Sequence, residues 1–590
     1  MPSQIPRPEH PAPQFRRDRW RNLNGIWDFA IDQSNSGFER GWVTGFPAGE
    51  HITVPFCPES RLSGVHFTDF ILSCWYHRSF DITSEDLEGD VLLHFGAVDY
   101  EARVYVNGVE AGCHRGGYAS FVLDVTRLVH AGTNELVVHA VDDVRSHRQP
   151  AGKQSDRFES YECSYTRTTG IWQTVWLEFV PKRRVVSVVY KPNVPAGRVA
   201  IEARILGTGY LTATVSFEGE QCAEATVHGG GTVVLDMPLT DIHLWRPGLG
   251  NLYDVTLRFV SSDGVIDAIH SYFGLRDVRV EGKRVLINGE PVFQRLILDQ
   301  GFYPEGIYTA PDAEQLERDI ILSMQAGFNG ARLHQKAFEP LYLYYCDKHG
   351  YLAWGEMADW QLDISSADSM SAFLPEWVEI VERDRNHPAI VGWCPFNETW
   401  DFQGRRQYDP LLTVTHRITK AIDPDRPCID VSGMFHTRET DIYDLHDYEQ
   451  DPACFAERYA RYGEPGHDDE DRFPDRQHYP GNIPFFVSEY GGIKIDSAAR
   501  ADGQSWGYGK SASGEEEFFS RYEALTGVLM SNPNIFGFCY TQLTDVEQEC
   551  NGIYSYDRKA KIDIDRLRAI NSRPAAYESV SDSEGQTPES

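Results

Sequence analysis

The chain has 590 residues, too many for one core, and 41% are hydrophobic, so two to four packed domains are expected. A net charge of −33 argues against nucleic acid or an anionic membrane as partner. No apolar run approaches the ~20 residues of a membrane span. Residues 1–13 are polar and Pro-rich with no apolar signal core, and the odd count of 11 Cys shows no C-x-x-C pair. These features suggest a cytoplasmic protein with reduced thiols and no metal or cofactor. A homo-oligomer is compatible with this reading.

From Trp20 the pattern is all-β. Short strands are expected at 75–80, 91–95, 102–106, 121–125, 135–141 and 174–180, and Asn107-Gly108 is a strong hairpin turn signal. Their spacing predicts a jelly-roll β-sandwich over 1–181. A second β segment, 182–275, has the size of an immunoglobulin-like β-sandwich, with strands at 185–190, 199–205, 211–217, 232–235 and 253–259.

After 276 the period changes. Leu316, Ile320, Met324 and Phe328 recur at helical spacing behind Pro311-Asp312. Further helices are expected at 340–349 and 375–385. Eight strands are expected, at 292–298, 329–333, 352–355, 390–396, 428–431, 442–445, 484–488 and 535–540. Strands alternating with helices over 276–572 match a C-terminal (β/α)8 TIM barrel. The fold class is therefore multidomain β plus α/β. The charged stretch 464–482 reads as a mobile loop, and 573–590 as a disordered acidic tail.

In such a barrel the C-terminal strand ends face the active site. Two apolar runs end in carboxylates there: 390–396 leads into Asn397-Glu398, and 484–488 into Glu489. Two carboxylates so placed are what glycosidic cleavage needs, with Asn397 beside them to bind substrate. Each alone is a weak signal, since many strands end in Glu for solubility.

The order and spacing of several segments are specific. They are Leu23-Asn24-Gly25-Ile26-Trp27, Val104-Tyr105-Val106-Asn107-Gly108, Gly170-Ile171-Trp172, Trp245-Arg246-Pro247, Phe273-Gly274-Leu275-Arg276, Asn386-His387-Pro388, Asn397-Glu398, Ser488-Glu489-Tyr490 and Tyr556-Asp557-Arg558. On these the chain resembles glycoside hydrolase family 2, the β-galactosidase and β-glucuronidase family, over about 20–572. The resemblance implies Glu398 as acid/base and Glu489 as nucleophile of a retaining, exo-acting hydrolase of terminal β-linked sugars. The acid's pKa is expected to be raised. Arg332 is placed to pair with the nucleophile, Tyr448 to orient it, and Asn397 to donate to the sugar 2-OH. His334, Asp299, Glu356, His446, Trp506 and Trp360 are further substrate-binding candidates, with Trp400 beside them.

The glucuronidase branch carries an Asn-x-Lys pair where this chain reads Glu549-Cys550-Asn551. β-Galactosidase is therefore the main expectation, with β-glucuronidase, β-mannosidase and arabinosidase as alternatives, unless Lys336 or Lys510 supplies the missing charge. The rival of a different class is a non-catalytic carbohydrate-binding protein.

Overall fold

The computed structural model describes residues 5–579 except 48, 465–466, 468–472, 474, 478 and 496–504. Parts of the charged 464–482 stretch, and residues 580–590, thus lie outside the described residues.

The first domain packs a four-stranded against a six-stranded antiparallel sheet. Trp27, Phe29, Tyr76, Leu93 and Val138 alternate inward from these strands into one core. The Asn107-Gly108 turn joins paired Val106 and Val109, and both turn residues have positive φ (52° and 78°), as a primed hairpin turn requires. The middle domain differs from its expected short strands. The strands expected at 199–205 and 211–217 are one strand, Arg198–Phe217, paired along its length with Glu220–Pro238. A register shift between Ile205 and Thr208, beside Gly207 at φ 100°, bends the pair so that each half serves a different part of the sandwich.

The barrel sheet contains seven parallel strands: Gln294–Asp299, Gly330–Leu333, Leu352–Glu356, Ile390–Cys394, Tyr443–Asp447, Phe485–Gly491 and Ile535–Thr541. The strand expected at 428–431 makes only isolated parallel bridges, Trp393 with Cys428 and Asn397 with Ser432. The reason is local. The Asp430 carboxylate accepts from the backbone N–H of Val431 (2.8 Å) and Thr437 (2.6 Å), which competes with ladder pairing. Side chains close the gap to the next strand, with Ser432 Oγ donating to Asp444 at 2.7 Å.

Helix Ala313–Gln325 begins where Asp312 accepts from Gln315 N, and buries Leu316 and Ile320 against the barrel. Helix Pro340–His349 stops at Gly350, whose φ of 63° only glycine adopts cheaply. Helix Met370–Asp384 starts five residues earlier than expected and carries Pro375 inside it. The segment after 572 differs from the expected disorder at its start: Tyr577 is buried and donates to Val285 O at 3.0 Å. Among the described residues, no helix is long and apolar enough to cross a membrane.

Candidate active site

Five barrel segments bring polar side chains to one end of the sheet. Arg332 lies at its centre, fully buried, and four of its five N–H donors are engaged. Nε donates to Glu356 Oε1 (2.6 Å), Nη1 to Glu489 Oε1 (2.9 Å) and Ser488 O (3.0 Å), and Nη2 to Asn397 Oδ1 (3.0 Å). Burial disfavours its charge, but Glu356 and Glu489 hold the guanidinium well above its ordinary pKa. One cation thus fixes three side chains from three strand ends, which a Lys point charge could not do.

Glu398 follows the Ile390–Cys394 strand and adopts φ 47°. Its N–H donates to Ser432 O (2.9 Å), so the misplaced 428–432 segment sets its position. His446 stands between the two strand-end carboxylates. Nδ1 lies 2.6 Å from Glu398 Oε1, and Nε2 lies 3.4 Å from Glu489 Oε1. Ligand atoms of Glu398, His446 and Glu489 fall within 4.8 Å of one another. That spacing could suit a metal ion, but the 2.6 Å contact is a hydrogen bond, and the imidazole occupies the place of a cation. Burial opposes the His446 charge, yet Glu489 and Glu398 raise its pKa. In turn, burial would raise Glu398, but the His446 hydrogen bond and charge, with Lys153, hold it below the ordinary carboxyl value. This corrects the expectation of a raised Glu398. The sequence had suggested a carboxylate neighbour and burial, and it gave no sign of an imidazole between the two acids.

Tyr448 donates to Glu489 Oε2, shares a 3.1 Å contact with Thr541 Oγ1 and stacks on Tyr508 with ring centroids 3.4 Å apart. Among the described residues, Asn397 Nδ2 is buried with no hydrogen-bond partner, a free donor beside the two acids. His334 Nδ1 contacts Glu356 Oε2 at 3.1 Å, and burial holds this imidazole well below its ordinary pKa. Glu356 spends its oxygens on Arg332 and His334, and Asp299 on Gly301 N (2.9 Å) and Tyr342 OH (2.8 Å). These contacts fix both carboxylates in place at the strand ends. His446 Nε2 also lies 3.0 Å from Ser432 Oγ, which helps hold the ring between the acids. A cavity of about 650 Å³ opens over Glu398, His446 and Tyr448, room for a small saccharide. Trp400, 57% exposed, flanks it. A larger cleft, about 1030 Å³, lies between the middle domain and the barrel, away from these acids.

The first domain also reaches this end of the barrel. Its connection 142–169 carries no strand and docks on the barrel. Ala151 N and Gly152 N both donate to Trp360 O (3.0 and 3.2 Å), and Gln548 Nε2 donates to Ser164 O (3.0 Å). A Cβ at Gly152 would lie 2.5 Å from Gln335 O, so only glycine permits this approach. Next to it Lys153, 4% exposed, places Nζ over the Trp360 ring at 3.7 Å from the centroid. Trp360 is therefore not a free sugar platform: its face holds a lysine, and its Nε1 donates to Asn397 O (2.9 Å). Burial opposes the Lys153 charge, but Cys163, Glu549, Glu398 and Glu489 keep its pKa above the ordinary value. Glu549 itself is pushed up to about 7 by burial, accepting from Tyr165 OH and from Asn551 Nδ2 (3.0 Å). Trp506, half-buried, is tied beside it: Trp506 N donates to Gln548 O at 2.8 Å.

Lys336 and Lys510 do not reach this pocket. Lys336 is buried and donates to Gly301 O (2.5 Å) and Tyr308 O (2.8 Å), whereas Lys510 is exposed. Lys153 and Tyr165 were missed in the sequence. The available signal was the length of 142–169, because connections beyond about 12–15 residues are usually functional.

Three family models match in succession: "Glycosyl hydrolases family 2, sugar binding domain" over 20–181, "Glycosyl hydrolases family 2" over 184–276, and "Glycosyl hydrolases family 2, TIM barrel domain" over 278–499. The chain is 26% identical to a β-glucuronidase of Sus scrofa, covering 82% of this chain and 79% of that one. It is 27% identical to a β-galactosidase of Thermoanaerobacter pseudethanolicus, covering 72% and 56%. A solved Lactobacillus rhamnosus β-glucuronidase superposes with TM-score 0.79 at 20% identity, over 96% of this chain and 99% of that one.

Proposed function

The chain belongs to glycosyl hydrolase family 2, and on that premise we propose that it is a retaining, exo-acting β-glycosidase working by double displacement. The observation that carries this reading is the spacing of the two acids. Oxygens of Glu398 and Glu489 approach within 4.8 Å, near the ~5–5.5 Å of retaining enzymes and short of the ~6.5–9.5 Å of inverting ones. Glu489, held by Arg332 and Tyr448, attacks the anomeric carbon. Glu398 delivers the proton to the leaving oxygen, drawing on the His446–Glu398 hydrogen bond, and afterwards deprotonates the water that releases the sugar. Asn397 Nδ2 supplies the donor for the 2-OH. The 142–169 connection docks beside Trp360, whose Nε1 holds Asn397 O, and this supports a blocked, exo-type site.

Among substrates, β-glucuronides are favoured, because the similar glucuronidase aligns over more of both chains than the similar galactosidase. The β-galactoside reading has one observation behind it: Asn551 stands where the glucuronidase branch has the Lys of its Asn-x-Lys pair. The test assays 4-nitrophenyl β-glucuronide, β-galactoside, β-mannoside and α-arabinoside side by side, with the first-formed anomer read by proton NMR. Retention is expected, and a first-formed α-anomer from a β-glycoside would defeat the mechanism.

A further inference from the structure

We propose that Lys153, delivered by the first domain, is the cation that holds the carboxylate of an acidic sugar in the active site, making uronides the substrate class. The inference rests on the glycosidase reading above. Lys153 is buried, and among the described residues its Nζ has the Trp360 face as its contact and no hydrogen-bond or ion-pair partner. Glu549, Glu398 and Glu489 keep this ammonium charged, and a neutral sugar would give it no direct ion-pair partner. A sugar carboxylate would complete it.

The position is built rather than incidental. Two backbone N–H groups, of Ala151 and Gly152, staple this loop to Trp360 O, and Tyr165 N donates to Lys153 O at 2.7 Å. The Trp360 ring under the ammonium is the one whose Nε1 holds Asn397 O. Lys153 is therefore coupled to the segment that carries Asn397 and Glu398. The same loop brings Tyr165 OH to Glu549, so the acid standing where the glucuronidase branch has its Asn-x-Lys pair is engaged by Tyr165 and Asn551. The lysine missing at position 551 is thus replaced by one from another domain.

The test uses the full chain and compares kcat/KM for 4-nitrophenyl β-glucuronide and β-galactoside in wild type, Lys153→Met and Lys153→Arg. The expected result is a wild-type preference for the glucuronide and a fall of about 30-fold or more in the glucuronide-to-galactoside ratio for Lys153→Met. Lys153→Arg should recover part of it. Calorimetric binding of D-glucuronate to a Glu489→Gln background, with and without Lys153→Met, gives a readout that needs no turnover, and thermal unfolding of each variant checks folding. An unchanged ratio in Lys153→Met, with both substrates losing equally, would overturn the inference and make Lys153 a balancing charge. A wild-type preference for the galactoside would also overturn it while leaving the glycosidase reading intact. Turnover of neither substrate by wild type would overturn the glycosidase reading itself, and the inference with it.

Discussion

Replacing Arg332 by Met removes the one cation bonded to both Glu356 and Glu489. The side chain makes four hydrogen bonds of 2.6–3.0 Å at zero exposure. Breaking a buried pair from one side typically costs about 3–5 kcal/mol, because the other charge is left uncompensated. Here two carboxylates are orphaned, but Glu356 has an escape. Burial already raises its pKa above the ordinary 4.5 despite Arg332, so without Arg332 it takes up a proton. An acid whose folded pKa is raised destabilises progressively as pH rises from its unfolded value toward its folded one, by about 1.4 kcal/mol per unit. The loss in Arg332→Met should therefore be smaller at pH 6 than at pH 8. Adding Glu356→Gln should recover part of it by removing one stranded charge. Urea unfolding followed by tryptophan fluorescence at both pH values measures this. A loss below about 1 kcal/mol, or a double variant less stable than Arg332→Met alone, would refute the reasoning.

Glu489→Gln should abolish turnover of every substrate, whereas Glu398→Ala should lose roughly 10²–10⁴-fold on poor leaving groups and far less on a dinitrophenyl glycoside; equal losses on the activated substrate would reverse the role assignment. His446, raised above its ordinary 6.5, contributes stability that is fully present below that value and lost as pH rises through its folded pKa. The stability gap between wild type and His446→Gln should therefore shrink in alkali, and a gap that widens there would contradict the bridging role. Glu549, at about 7, is neutral below that pH, so its ionisation should lower the glucuronide-to-galactoside kcat/KM ratio as pH rises through 7. Glu549→Gln should flatten that profile, and an unchanged profile would show that this acid does not face the sugar.

The barrel rhythm was legible because its strands are uniformly apolar runs between capped helices, and the end of such a run localises a side chain well. Glu398, Glu489, Asn397, Arg332 and Tyr448 were found that way. Other features depend on side chains that meet only in three dimensions. Asp430 turned its own backbone away from the sheet, so 428–431 looked like a strand and formed only bridges. His446 reads as one more strand-end polar residue, and nothing local shows that Glu398 and Glu489 lie on either side of it. Asp299 and Glu356 occupy the same kind of position as the proposed catalytic pair, but Tyr342 and Arg332 bond to their oxygens. Lys153 was hardest to see, since it lies in another domain within a loop that has no periodicity.

The double-displacement reading is tested most directly by trapping the intermediate. Incubation with 2-deoxy-2-fluoro-β-glucuronosyl fluoride, and with the galactosyl analogue in parallel, should add one sugar mass to the intact chain. Peptide mapping should place that mass on Glu489. An adduct on Glu398 or Glu356, or an inverted product with no adduct on a chain that turns over β-glycosides, would contradict it.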